Sequence, residues 1–253
     1  MLIARWTATA LFIASVPLFL VLTNVRVAAS EPRVFEYSFS QYDVPAVAGI
    51  PRAELDRSAE EIARYFQDGS ELLAIEVTVD GQTEALFNPR EVAHMRDVKA
   101  LFRRVFQLQE LAFAYGATYV ALVFLWSRER SMQRLARESV LAGLVTAGVM
   151  AAAALAMLVG FDQLFLQFHL FSFSNDFWQL NPAIDHLLQM FPQGFWFDVS
   201  LAVGVLTVVE GGLVALVGFA YLRWSERRPP RASRVSGRLV GMESESVAGG
   251  FEA

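Results

Sequence analysis

The chain contains no cysteine, and only one of its 21 basic residues, Lys99, is a lysine. Without a thiol it forms no disulfide, no thiolate zinc site and no quinone-linked disulfide oxidoreductase, and the redox compartment stays open. The net charge of -5 is spread unevenly, so the clustered basic face that nucleic-acid binding requires is missing. No His-x-x-x-His spacing occurs, and none of the three histidines falls within an apolar run as a bundle haem would need. No cofactor and no resident metal are therefore assigned.

Apolar residues make up 55% of the 253, aromatics 13%, with 21 Phe and a mean hydropathy of +0.38. That exceeds the 45–50% apolar usage of soluble domains and points to a membrane. Residues 1–24 hold an uncharged run long enough for a first span; cleavage as a secretory signal at Ala28-Ala29-Ser30 is the rival reading. Residues 25–106 have soluble composition. Within them, residues 33–44 alternate apolar and polar, with Phe35, Tyr37 and Phe39 on one side, which predicts a strand. Pro51 opens a helix to about residue 66, with Leu55, Ile62 and Phe66 on one stripe. Residues 72–79 and 82–87, joined by Asp80-Gly81, predict a hairpin. Asn88-Pro89-Arg90-Glu91 then starts a long helix whose upper part lies above the bilayer and whose lower part, 107–127, is the second span.

Residues 128–138 form an Arg-rich loop, 139–161 a third span rich in Ala and Gly, and 199–222 a fourth, ahead of a tail, 223–253, that reads as largely disordered. The Arg-rich loop and tail fall on one side, so both termini are expected to be cytoplasmic. Residues 25–106 and 162–198 then face outward. The fold class expected is an α-helical membrane protein of four spans, with a small extracytoplasmic α+β domain and an aromatic extracytoplasmic loop. Glu210 falls at the centre of the fourth span, where a carboxylate needs a partner such as Tyr119 or Thr118.

The 162–198 loop has no Lys or Arg, is packed with Phe and Trp, and holds His169, Asn175, Asp176, Asp185 and His186. A second cluster, Glu91, His94 and Asp97, shares one face at the top of the second span. Histidine moves protons near neutral pH, and a carboxylate on its far nitrogen sets the tautomer, so the two clusters suit one acid/base reaction. His186 reads as a surface residue of a helix started by Pro182. The Phe and Trp belt is either interfacial anchoring or a lipid-chain groove.

Phe168-His169, Phe173, Asn175-Asp176, Trp178, Asn181-Pro182, Asp185, Phe191-Pro192 and Phe195-Trp196 together resemble the signature of the bacterial lipoprotein intramolecular transacylase family of four-span membrane proteins. Phe87-Asn88, Arg90-Glu91, His94-Met95 and Asp97-Val98-Lys99 resemble that family's other motif; Thr23-Asn24-Val25-Arg26 and Gly49-Ile50 fit more loosely. The chain departs at Asn181 and Gln193, where the family commonly carries an acid. The resemblance implies an acyltransferase of the bacterial cytoplasmic membrane. It would move the sn-2 acyl chain of a diacylglyceryl lipoprotein to the α-amino group of its N-terminal Cys, giving the lyso-form without an acyl-enzyme.

On this reading His169 is the general base and His94 its partner. Glu91, Asp97, Asn175, Asp176 and Asp185 support or orient, and Asn175, Trp178 or Arg96 face the oxyanion. Phe168, Phe171, Phe173 and Trp196 line an acyl-chain groove, and the partners are lipoprotein substrates and membrane lipid. Two other readings stand beside it: a non-enzymatic lipid- or lipoprotein-binding membrane protein, and a metal-dependent lipid hydrolase using His94, His169 and the acids.

Overall fold

A computed structural model describes residues 2–125 and 129–227; most of the tail lies outside them. The chain is mostly helical, in the order α1 (Leu2–Ser30), α2 (Pro32–Gln41), α3 (Val44–Ala48), α4 (Arg52–Tyr65), β1 (Glu76–Val79), β2 (Gln82–Ala85), α5 (Pro89–Leu125), α6 (Glu129–Ser172), α7 (His186–Met190) and α8 (Gln193–Glu226). Among the described residues four helices, α1, α5, α6 and α8, are long and apolar enough to cross a membrane, with apolar windows of mean hydropathy 2.0, 1.4, 2.2 and 2.1. At about 1.5 Å per residue, the 37 residues of α5 and the 44 of α6 far exceed ~30 Å of hydrocarbon. Both therefore project beyond it. The projecting part of α5 is its charged first half, before the apolar run from Leu111; that of α6 follows a break in helical geometry at Gly160.

Small residues let the helices approach. A β-carbon on Gly211 would meet Thr146 Cγ2 at 2.8 Å, one on Gly218 the Ala136 carbonyl at 2.6 Å, and one on Gly143 would run into the Gly211 carbonyl. This α6–α8 seam is van der Waals packing of the kind that replaces the hydrophobic effect between helices in lipid. Polar groups bridge elsewhere. Glu138 accepts from Thr9 Oγ1 and Tyr119 Oη, both at 2.9 Å, joining α1, α5 and α6. Glu210 finds its partner on α1, not α5: Asn24 Nδ2 donates to Glu210 at 2.9 Å and to Thr207 at 3.1 Å.

Three sequence expectations are corrected. Residues 33–44 do not form a strand: Pro32 opens helix α2, whose buried side is Phe35, Ser38 and Phe39. Phe35 and Phe39 satisfy both a period of two and an i, i+4 spacing, and Tyr37, the residue that told them apart, is 43% exposed. The helix expected at Pro182 begins instead at His186, with Asp185 at its N-cap. The Arg-rich stretch is not a loop from residue 129 onward but the first turns of α6. The hairpin forms as expected, with Asp80 and Gly81 both at positive φ, 53° and 80°, the geometry of a type I′ turn.

Residues 31–102 and 187–199 share one core. Phe35, Phe39, Leu55, Ile62, Val77 and Leu86 pack with Leu187, Met190, Phe191 and Phe195, and Ser38 Oγ donates to the Met190 carbonyl at 2.6 Å. Tyr37 and Tyr42 both donate to Asp198 near the start of α8, at 2.8 and 2.7 Å. The aromatic loop is thereby bolted to the segment that precedes α5.

Candidate active site

His94 and His169 come together although 75 positions separate them in sequence. His94 sits on the second turn of α5, a helix started by a full capping box: Asn88 Oδ1 accepts from the Arg90 and Glu91 N–H groups at 2.9 and 3.1 Å, and Glu91 Oε2 accepts from Asn88 N at 2.8 Å. His169 sits near the end of α6, beyond the Gly160 break. Their ring centroids are 6.2 Å apart. Phe173 packs on both, at 5.2 and 5.7 Å, and Trp178 and Phe165 pack on His169 at 5.2 and 4.4 Å. Both imidazoles are buried.

The hydrogen bonds settle one tautomer. His169 Nδ1 lies 2.7 Å from the Phe165 carbonyl, which only accepts, so Nδ1 carries the proton and Nε2 keeps its lone pair. His94 Nδ1 is buried with no hydrogen-bond partner among the described residues, an uncompensated polar atom in an aromatic pocket. Burial, the nearby His169 and, opposing them, Asp97 together push the His94 imidazole down to about 4; burial lowers His169 as well. Both rings are held neutral.

The supporting acids act at one remove. Glu91, 1% exposed, is spent on backbone N–H groups: Oε1 accepts from Leu187 N at 2.6 Å and Oε2 from Asn88 N. It joins α5 to α7, and burial pushes its carboxyl up. Asp185 accepts from Asn88 Nδ2 at 2.7 Å and from Asn181 N at 2.5 Å. Asp97 accepts from Asn175 Nδ2 at 2.7 Å and lies 3.8 Å from Arg96, while Asp176 lies 3.4 Å from Arg90. Neither Glu91 nor Asp97 touches His94 by a hydrogen bond. The acids clamp residues 175–187 onto α5, which keeps Phe173 and Trp178 against the rings.

Of the oxyanion candidates, Trp178 stays beside His169, whereas Asn175 and Arg96 are engaged with Asp97. His186 is half-buried, its Nδ1 2.7 Å from the Leu86 carbonyl, and belongs to the framework. Among the described residues no group of three or more His, Asp or Glu is placed to hold a metal ion. Phe165 escaped the sequence reading; its position one helical turn before His169 was the available signal.

Beside the histidines an apolar cavity of about 900 Å³ runs down between α1, α6 and α8 under α2, with Phe165, Phe168, Phe195 and Trp196 in its walls. That is within the size range of small-molecule sites. Phe173 is buried against the rings, and Phe171, 94% exposed, faces away from the cavity.

The chain matches the family model described as lipoprotein intramolecular transacylase Lit over residues 10–196. It belongs to that family. Membership in the Lit family places it among enzymes of the transferase class, integral to a membrane through four apolar helices. Its fold is similar to the solved structure of the lipoprotein intramolecular transacylase Lit from Bacillus cereus, with a TM-score of 0.72 at 16% identity, covering 90% of this chain and 99% of that one. Histidine-to-alanine and histidine-to-arginine variants of that Lit each give 0.69 at 15% identity, over 87% of this chain and 94% and 92% of theirs. An uncharacterized protein of Aquifex aeolicus is 26% identical over 132 residues, 52% of this chain and 56% of that protein. The chain thus spans just over half the length of that curated relative.

Proposed function

We propose that this protein moves the sn-2 acyl chain of a diacylglyceryl lipoprotein onto the α-amino group of its N-terminal cysteine. The single observation that carries the reading is the pair of buried, neutral imidazoles in one aromatic pocket: His169 with Nε2 free by its tautomer, His94 with Nδ1 unpartnered. The neutral amine attacks the sn-2 carbonyl carbon and loses a proton to His169 Nε2. The ester C–O bond breaks as the tetrahedral centre collapses, and the glyceryl oxygen takes that proton back from His169 Nε2–H, while the neutral His94 ring, 6.2 Å away between centroids, orients the reacting groups. An amide and a free glyceryl hydroxyl result, and no water is consumed. Because amine and ester belong to one bound molecule, the amine attacks directly and no acyl-enzyme forms. Trp178, whose ring packs on His169 at 5.2 Å between centroids, offers its Nε1–H as the donor to the developing oxyanion.

The four-span topology with both termini in the cytoplasm follows from the distribution of arginine. The folded segment before α5 and the aromatic loop then face the outer side of the bacterial cytoplasmic membrane, where a lipoprotein is half embedded.

Mass spectrometry of lipoprotein N-termini in a host lacking N-acylation tests the reaction. The intact chain is expected to give N-acylated lyso-form termini, and His169→Ala or His94→Ala diacylglyceryl termini with a free amine. A non-enzymatic lipid-binding role is the second reading, favoured by the cavity itself. Under it both histidine variants would behave as the parent does, and loss of Trp178 or Trp196 would abolish function instead.

A further inference from the structure

The cavity has a mouth and a floor. Its mouth lies at the histidine pair, where the lining residues Phe165 and Phe168 pack on His169 with ring centroids at 4.4 and 5.3 Å. Its floor is formed by Ala147 and Met150 of α6 and Val208 and Val209 of α8, next to the α6–α8 seam where Gly211 presses on Thr146, and Thr146 and Thr207 are fully buried. From Trp196 to Val209, the last lining residue of α8, the wall is about 20 Å long at ~1.5 Å per residue, more than the ~15 Å of hydrocarbon in one leaflet. Of the lining residues only Ser200 and Trp196 carry a polar side-chain atom, so a polar occupant would shed its hydration for nothing.

We propose that this cavity receives the transferred sn-2 chain and measures its length, with Gly204 keeping the lower half open. The inference rests on the transacylase reading. The transferred chain is the fitting occupant because its carbonyl reacts at His169, so its first methylenes meet Phe165 and Phe168. The retained sn-1 chain begins further along the glyceryl group and stays in the bilayer beside exposed Phe171. Gly204 is about 12 Å below Trp196 by helical rise, lines the cavity, and a β-carbon there would meet nothing within 4 Å. A larger side chain at 204 enters the cavity without disturbing the backbone, so its bulk shortens the space for a chain. At the seam the same change would instead drive α6 and α8 apart.

The test uses full-length protein in lipid nanodiscs with diacylglyceryl lipopeptides whose sn-2 chain has eight or sixteen carbons and whose sn-1 chain is constant. A second set has an acetylated amine, so that it binds without reacting, and carries a diazirine at the tip of either the sn-2 or the sn-1 chain. The sn-2 probe is expected to label α6 near Ala147 or Ala151, or α8 near Val208. Gly204→Leu is expected to lower the sixteen-to-eight-carbon rate ratio by about tenfold or more, while Gly204→Ala leaves it close to that of the parent.

An sn-1 probe that labels the cavity in place of the sn-2 probe, or a folded Gly204→Leu variant with an unchanged ratio, overturns the proposal. If Gly204→Leu does not fold, the labelling of the unsubstituted protein decides. Labelling at the floor without any acyl transfer keeps the site and removes the transacylase reading. Transfer with labels confined to lipid-facing surfaces removes the ruler and keeps the reaction.

Discussion

His169 donates Nδ1–H to a carbonyl of its own helix, so its useful nitrogen is chosen by backbone geometry and needs no carboxylate. With the His94 imidazole pushed down to about 4 and the His169 imidazole lowered by burial, the group that must lose a proton near neutrality is the substrate's α-amino group, ordinarily at about 7.7 to 8.0. Below that range kcat/KM is expected to fall about tenfold per pH unit. The slope of log kcat/KM should stay at one through pH 6.5; a slope steepening to two there would mean that an imidazole titrates at its ordinary value. Stability carries its own sign. The folded His94 value, about 4, is depressed below the unfolded 6.5, so the unfolded state binds more protons in that window and stability is lost as pH falls through 6.5 toward 4. The loss is on the order of 3 kcal/mol, readable as a lower thermal midpoint at pH 5 than at pH 7.5, and His94→Phe should flatten that dependence.

Among the elements, α5 carries the most sequence-readable structure and α2 the least. Asn88-Pro89-Arg90-Glu91 announces a capped helix because each residue type meets a local backbone need, and the helix begins at Pro89. In α2 the spacing of Phe35 and Phe39 was equally consistent with a helix, Tyr37 alone favoured the strand, and the decision came from the shared core that buries Phe35 and Phe39. Glu91 joins the two cases: its spacing marks the capping box, but its bond to Leu187 N is purely tertiary. Glu91→Ala strands the buried Leu187 N–H, at about 1–3 kcal/mol, and the half-buried Asn88 N–H. Glu91→Gln is expected to rescue little, since its amide nitrogen would face a donor; thermal unfolding in detergent reads both. The α6–α8 seam depends on the absence of a side chain, so Gly143→Leu is expected to lower the thermal midpoint far more than Gly204→Leu. Equal losses would mean that the two glycines sit in similar surroundings.

At the scale of the whole molecule, the segment before α5 and the loop before α8 fold as a single unit over the membrane helices. Met190, fully buried where they meet, is the sharpest probe of that unity. Met190→Ala is expected to cost about 2–5 kcal/mol and to make residues 31–102 protease-sensitive as well as its own loop. Protection of 31–102 in that variant would mean two separate cores. The arginines predict a cytoplasmic C-terminus, to be read with a reporter active on one side only; an outward signal would reverse the orientation.

The four apolar runs, the hairpin at Asp80-Gly81, the start of α5 and the two motif blocks with their histidines were determined by sequence alone, because hydropathy, turn chemistry, capping and residue identity are local properties. The 6.2 Å approach of His94 to His169, the use of Glu91 and Asp97 as clamps on the loop, the pairing of Glu210 with Asn24 and the cavity between α6 and α8 were decided only by the tertiary structure. Each depends on which faces of distant helices meet. No spacing along the chain encodes which faces of α1, α6 and α8 line a common space, and that arrangement is what leaves room for the cavity beside the histidines.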